Sequence, residues 1–170
     1  MRVPNNEYAP FYENYILTAL KTNDNIIECL QESLEKVFLI LGDISPDKHL
    51  YAYAESKWSV KELLLHMIET ERIMAYRALR ISRNEAQNLP GFDENAYVTN
   101  ANANSIPFVD LLKEFSLVRK STIALFKGFS DDMLLRIGTA SDTRISVRAL
   151  GFLLSGHVLH HLNIIEERYL

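Results

Sequence analysis

Residues 146–169 read SVRALGFLLSGHVLHHLNIIEERY, and this stretch indicates the fold class of the whole chain. Ser146 is a favourable helix N-cap, and apolar side chains recur after it with the spacing of one helical face. The pattern predicts an amphipathic helix from about Val147 to Tyr169. Two histidines take the place of apolar residues on its inner face, which carries Val147, Leu150, Leu154, His157, His161 and Ile164.

Three further helical patterns precede this one, over residues 25–41, 60–83 and 106–129. Ser59 and Glu62 form a capping box at the start of the second pattern, in which each side chain binds a free backbone amide of the other residue. We expect Asp24 and Ser105 to be the N-caps of the first and third patterns. Four amphipathic helices of this length predict an all-α, four-helix bundle.

The connections between these helices are long at residues 43–58 and 84–105. Both exceed the roughly 12–15 residues that are usual for loops without structure of their own. Links of this length permit crossover connections, so a simple up-and-down order of helices does not follow. No linker composition or internal repeat divides the chain, and we expect a single domain over residues 1–170.

The charge balance excludes several classes of partner. The chain has 18 Lys and Arg against 22 Asp and Glu, so it lacks the basic surface that nucleic acids or anionic membranes require. No apolar run reaches the ~18 residues of a membrane span, and the N-terminus has no signal-peptide core. Cys29 is the only cysteine and is interpreted as a small core residue. We expect a cytoplasmic protein with a small-molecule substrate. The sequence does not decide whether the protein is a monomer or a homodimer.

The histidines form the most informative pattern. His157 and His161 are four residues apart, which places both imidazoles on one helix face, where their nitrogens can converge on one metal ion. His66, in an apolar run of the second helix, is a third candidate ligand, because burying several unpartnered imidazoles is unfavourable. His160 points about 100° away, and His49 is interpreted as a solvated loop residue. From spacing alone, metal binding and simple core packing are about equally favoured.

Other side chains are weaker candidates for chemistry. Glu69 follows His66 by three residues and could act as a general base, although an ion-paired helix carboxylate is the simpler interpretation. Tyr76 could line a pocket or pack at its rim. Three arginines could bind a carboxylate of a substrate or cofactor, or could pair with glutamates: Arg77, Arg119 and Arg148.

Several stretches together resemble a known family. They are KWSVKELLLH (57–66), ERIMAYRAL (71–79), LPGFDEN (89–95), SVRAL (146–150) and GHVLHHL (156–162). In this order they cover nearly the whole chain and are similar to the DinB/YfiT-like superfamily of metal-dependent enzymes. That superfamily includes bacillithiol transferases and mycothiol-dependent maleylpyruvate isomerase.

The resemblance implies a four-helix bundle with a crossed connection order and one divalent metal held by His66, His157 and His161. It implies nickel, zinc, manganese or iron as the metal, and neutral imidazoles suit most of these ions. Three protein ligands leave a coordination position open, as in catalytic sites. We therefore expect either a hydrolase or a transferase that uses a low-molecular-weight thiol. A non-catalytic metal-binding or dimerisation protein is the alternative.

Overall fold

The computed structural model describes residues 3–170, which form helices and one small hairpin. The four helices predicted from the sequence are all present, and shorter elements fill the links between them. The elements are α1 (Glu13–Leu20), α2 (Ile26–Leu41), α3 (Val60–Ser82), α4 (Glu94–Ala101), α5 (Phe108–Lys127), α6 (Asp131–Leu134), β1 (Ile137–Ala140), β2 (Thr143–Ser146) and α7 (Val147–Arg168).

The four long helices form a bundle with crossed connections. Both α2 and α3 pack against α5 and against α7, so α2 lies diagonally opposite α3 and α5 lies diagonally opposite α7. The α2–α3 and α5–α7 links therefore cross the bundle, while the 84–105 link joins neighbouring helices and contains α4. The predicted four-helix bundle with crossovers is confirmed. No helix within residues 3–170 has both the length and the apolar character needed to cross a bilayer.

Capping side chains explain where three of the four long helices begin, namely α2, α3 and α7. The Ser59 capping box starts α3, and the Ser146 side chain accepts a hydrogen bond from the third residue of α7. Two predicted caps are wrong. Asn25, not Asp24, caps α2, because its side chain accepts from the backbone amides of Ile27 and Glu28. Ser105 ends a short 3₁₀ turn, and α5 begins three residues later.

Helix α7 is the centre of the molecule. Nearly every side chain from residue 147 to residue 159 is buried, because α1 covers the face that the bundle leaves open. The two helices approach closely at Gly156, where a Cβ atom would lie 2.5 Å from the carbonyl carbon of Tyr15. This absence of a side chain lets α1 lie directly beside His157. Cys29 is fully buried in the same core, as predicted.

The hairpin β1–β2 is the one departure from helical structure in the described chain. Its turn residues Ser141 and Asp142 have φ values of 51° and 59°, the left-handed conformation that tight hairpin turns require. Leu89 forms a bridge to Ala140 at the end of β1, and its carbonyl accepts a hydrogen bond of 2.9 Å from the Ser141 amide. The hairpin tip is thereby held beside the loop that follows α3.

Candidate metal centre

Three histidines from two helices meet in the interior. The Nε2 atom of His157 lies 3.1 Å from Nε2 of His66 and 3.0 Å from Nε2 of His161. Their candidate ligand atoms all lie within 4.8 Å of one another, and each residue is buried. His66 comes from the first half of α3, and the other two come from successive turns of α7. No carboxylate or thiol of residues 3–170 joins the group.

The protonation chemistry of this group fits a bound cation. Burial lowers the pKa of His66 to about 4 and, with the nearby His66 and His160, lowers the pKa of His161 to about 3. Burial and then its histidine neighbours hold the pKa of His157 well below its usual value. The three rings are therefore neutral at pH 7, the form that binds metals.

Neutral rings cannot satisfy one another in this arrangement. The Nε2 atom of a neutral imidazole has either one proton or one lone pair, so that of His157 forms one full hydrogen bond at most. The second short nitrogen–nitrogen contact then has no proton between its atoms. Nitrogens that each lie about 2.1 Å from one zinc ion are at most about 4.2 Å apart, and both measured contacts fall within that range.

A cavity of about 510 Å³ opens onto the three histidines, a volume typical of small-molecule sites. Four side chains on one face of α3 line it in succession: His66, Thr70, Met74 and Arg77. The Oγ1 atom of Thr70 is buried and has no hydrogen-bond partner. Aromatic residues form much of the remaining wall, namely Phe11, Tyr12, Tyr15, Trp58 and Phe92.

The carboxylate that lines this cavity is Glu94, at the start of α4. Glu69 does not line it. Its side chain borders a separate small void beside His66, where burial raises its pKa. Sequence reasoning gave Glu94 no role, because it lies 28 residues beyond His66 and in a predicted loop. The only signal for it was its place within the LPGFDEN stretch that carries the family resemblance.

Arg119 lies outside the cavity and holds the bundle together. It is fully buried and its Nε donates to both carboxylate oxygens of Glu71, at 2.8 and 3.0 Å. Its Nη atoms donate to the carbonyl oxygens of Leu30 and Leu154 and to the Ser33 hydroxyl. These partners belong to α3, α2 and α7, so one side chain on α5 connects all four long helices. Of the two interpretations of Arg119, the structure supports the ion pair with a glutamate and not the contact with a substrate.

The other arginine and tyrosine candidates differ in whether they line the cavity. Arg148 forms an ion pair with Glu7 and does not line the cavity. Tyr76 is 48% exposed, accepts a hydrogen bond from Arg80 and borders a different pocket, which Arg77 also lines. Of the four candidates for substrate contact, Arg77 alone lines the cavity of the three histidines.

The two remaining histidines stay out of the site. His160 is exposed, and its ring packs edge-to-face with those of Tyr15 and His161. His49 lies in a turn, as predicted, but it is half-buried rather than fully solvated. Its ring stacks on Phe108 with centroids 4.0 Å apart, and its Nε2 is buried without a hydrogen-bond partner.

Comparisons with known proteins agree with this architecture. YfiT from Bacillus subtilis, described as a probable metal-dependent hydrolase with an unusual four-helix bundle topology, has a similar structure with a TM-score of 0.73. It is 15% identical, and the match covers 98% of this chain and 90% of YfiT. The DinB-like protein YjoA from B. subtilis matches with a TM-score of 0.51 and 19% identity, over 91% of this chain and 89% of YjoA.

The comparisons of sequence give one match, to a family model. No curated protein matches the chain. The model of the DinB superfamily matches residues 30–165. This range includes all three histidines, the whole of α3 and α5, and all of α2 and α7 except the start of α2 and the end of α7. That match spans well over half of the chain, and the chain therefore belongs to the DinB superfamily.

Proposed function

We propose that this protein is a metal-dependent enzyme that hydrolyses a small molecule bound in the cavity beside His66, His157 and His161. The convergence of three neutral Nε2 atoms at the wall of an open cavity carries the proposal. The hydrolase described for the similar YfiT fold supports it. The proposed ion is a divalent transition metal, namely nickel, zinc, manganese or iron.

The cavity residues supply the functions that hydrolysis requires. The three histidines hold the ion, and a bound divalent metal with an open position acidifies the water or thiol that enters there. Glu94 can accept a proton from the nucleophile and return it to the leaving group. The unpartnered Thr70 hydroxyl can orient a polar group of the substrate, and Trp58 with its aromatic neighbours excludes bulk water.

Transfer of a small thiol to an electrophile is the second candidate. Cys29 is the only thiol of the chain, and it is fully buried and hydrogen-bonded to backbone carbonyls. Burial raises the pKa of this thiol, which makes it a poor nucleophile. A thiol substrate must therefore enter from solution. The single cysteine is also the basis for proposing a cytoplasmic location.

The decisive experiment is metal analysis of protein purified without affinity resin. We expect about one metal ion per wild-type chain. His161→Ala should lose it, with affinity reduced by roughly 100-fold or more, since changes to groups outside the ligand set alone cost about 10- to 100-fold. His160→Ala is the matched control and should retain the metal, because its ring lies outside the group.

Two outcomes would refute the metal-centred proposal. One is wild-type protein with no bound metal. The three histidines would then be core packing residues, and the protein could be a dimerisation module. The other is complete unfolding of His161→Ala, which would make the metal structural rather than catalytic. Assays of metal-loaded protein on ester and amide substrates, and of thiol conjugation to chlorobimane, separate hydrolysis from thiol transfer.

A further inference from the structure

The cavity has a second polar end, at Arg77, which the proposed hydrolysis does not use. Arg77 is 2% exposed, and its hydrogen-bond partners are all neutral. Its Nη2 donates to the Pro90 carbonyl at 2.7 Å and to the Ser141 hydroxyl at 2.8 Å, and Nη1 contacts the Met74 sulfur at 3.4 Å. Within residues 3–170 no carboxylate pairs with it, whereas the buried Arg119 pairs with Glu71.

Two hydroxyl groups extend this positive charge into the cavity. The Ser141 oxygen accepts from Arg77, so its own proton is free to donate to a ligand. Burial raises the pKa of the Tyr12 hydroxyl, and the adjacent Arg77 opposes that rise through its charge and a hydrogen bond, while the Glu94 carboxylate adds to it. Both residues line the cavity. Hydroxyl donors beside a buried guanidinium form a wall suited to an anionic group.

Glu94 does not cancel this charge. Its field reaches the Tyr12 hydroxyl, but Glu94 is an exposed residue, so water screens its carboxylate more than it screens Arg77, which lies in the low-dielectric interior. For an anion beside Arg77, the attraction of the guanidinium is therefore stronger than the repulsion of the Glu94 carboxylate.

The spacing along α3 separates the histidines from Arg77 within the cavity. His66, Thr70, Met74 and Arg77 line the cavity in order, and the first and last are 11 residues apart. A helical rise of 1.5 Å per residue separates their Cα atoms by about 16 Å along the axis. The unpartnered Thr70 hydroxyl lies one turn from His66. A group at the histidines and an anion at Arg77 therefore belong to an elongated molecule.

We propose that the substrate of this site is an elongated organic acid, whose carboxylate binds at Arg77, Ser141 and Tyr12 while its reactive group lies at the histidines. The position of the reactive group rests on the proposed function. The carboxylate site rests on Arg77 and its neutral partners alone, so the two can be tested separately.

The test measures binding to chelator-treated, metal-free protein, with the fluorescence of Trp58 as the readout. Trp58 is the only tryptophan and lines the cavity. The probe is 6-acetamidohexanoate, and its neutral analogue is 6-acetamidohexanamide. We expect the acid to bind at least about tenfold more tightly than the amide, as a charge-assisted hydrogen bond implies.

Arg77→Gln should abolish this preference, and Arg77→Lys should retain part of it. Arg144→Gln is the control, because it removes the same charge from an exposed position on β2 and should leave the preference intact. If Arg77→Gln does not fold, the acid and amide affinities of the wild type and of Arg77→Lys decide.

Equal affinities for acid and amide in the wild type would overturn the proposal, and so would an unchanged preference in folded Arg77→Gln. A preference that appears only after metal loading would also overturn it, because the carboxylate would then bind the metal. If the wild-type protein binds no metal but still prefers the acid to the amide, the proposed function is refuted and the carboxylate site is retained.

Discussion

Removing Arg119 should destabilise the protein more than removing a surface arginine does. The Arg119–Glu71 ion pair is almost completely buried, with side-chain exposures of 0% and 1%. In Arg119→Met the Glu71 carboxylate would remain in the interior without its partner. Breaking a buried pair in this way costs about 3–5 kcal/mol in the free energy of unfolding. For a domain of this size, that corresponds to a decrease in Tm of roughly 6–20 °C.

A double variant isolates the cause of this loss. Arg119→Met combined with Glu71→Leu removes both charges and leaves apolar side chains of similar size. Replacement of a buried ion pair by apolar residues is often neutral or stabilising, so the double variant should recover most of the lost stability. The backbone carbonyls that Arg119 contacts lie within α2 and α7, where helical amides remain available to them.

Urea and thermal unfolding followed by circular dichroism measure both effects. Arg72→Met is the matched control, because its pair with Glu114 is exposed and should contribute less than about 1 kcal/mol. The reasoning fails if Arg119→Met is as stable as this control, or if the double variant is less stable than Arg119→Met. The double variant should also keep its metal, since neither residue is among the candidate ligands.

Two further predictions concern the cavity and its walls. Gly156→Ala should lower the free energy of unfolding by about 2 kcal/mol or more, because the new methyl group meets the backbone of Tyr15 and overpacking outweighs the gain in helix propensity. Gly128→Ala, whose nearest contact would be 3.4 Å, is the control in the same urea titration, and equal stability of the two variants would contradict this explanation. Glu94→Gln should reduce kcat of the metal-loaded hydrolase by about 10²–10⁴-fold, whereas Glu69→Gln should leave it nearly unchanged, because only Glu94 lines the cavity. The reverse order of these two effects would assign the proton transfer to Glu69.

Much of the fold follows from local patterns. The capping box at Ser59 and the cap at Ser146 involve residues within three positions of each other, so the starts of α3 and α7 can be read directly. Asp24 failed as a cap because its polar neighbour Asn25 provides the capping side chain of α2. Ser105 failed because α5 begins after Pro107 with no side-chain cap, so no capping pattern in the sequence marks its start.

The sequence by itself determined the four long helices and the pairing of His157 with His161, because helical periodicity and an i, i+4 spacing act within one turn. Only the tertiary structure brought His66 to them, across 91 residues, and separated three similar arginines into two ion-paired residues and one that lines the cavity. The same is true of Glu94, which follows a long loop. Contacts at these sequence distances are decided by how the helices cross, since each side chain meets its partners only after the bundle has packed.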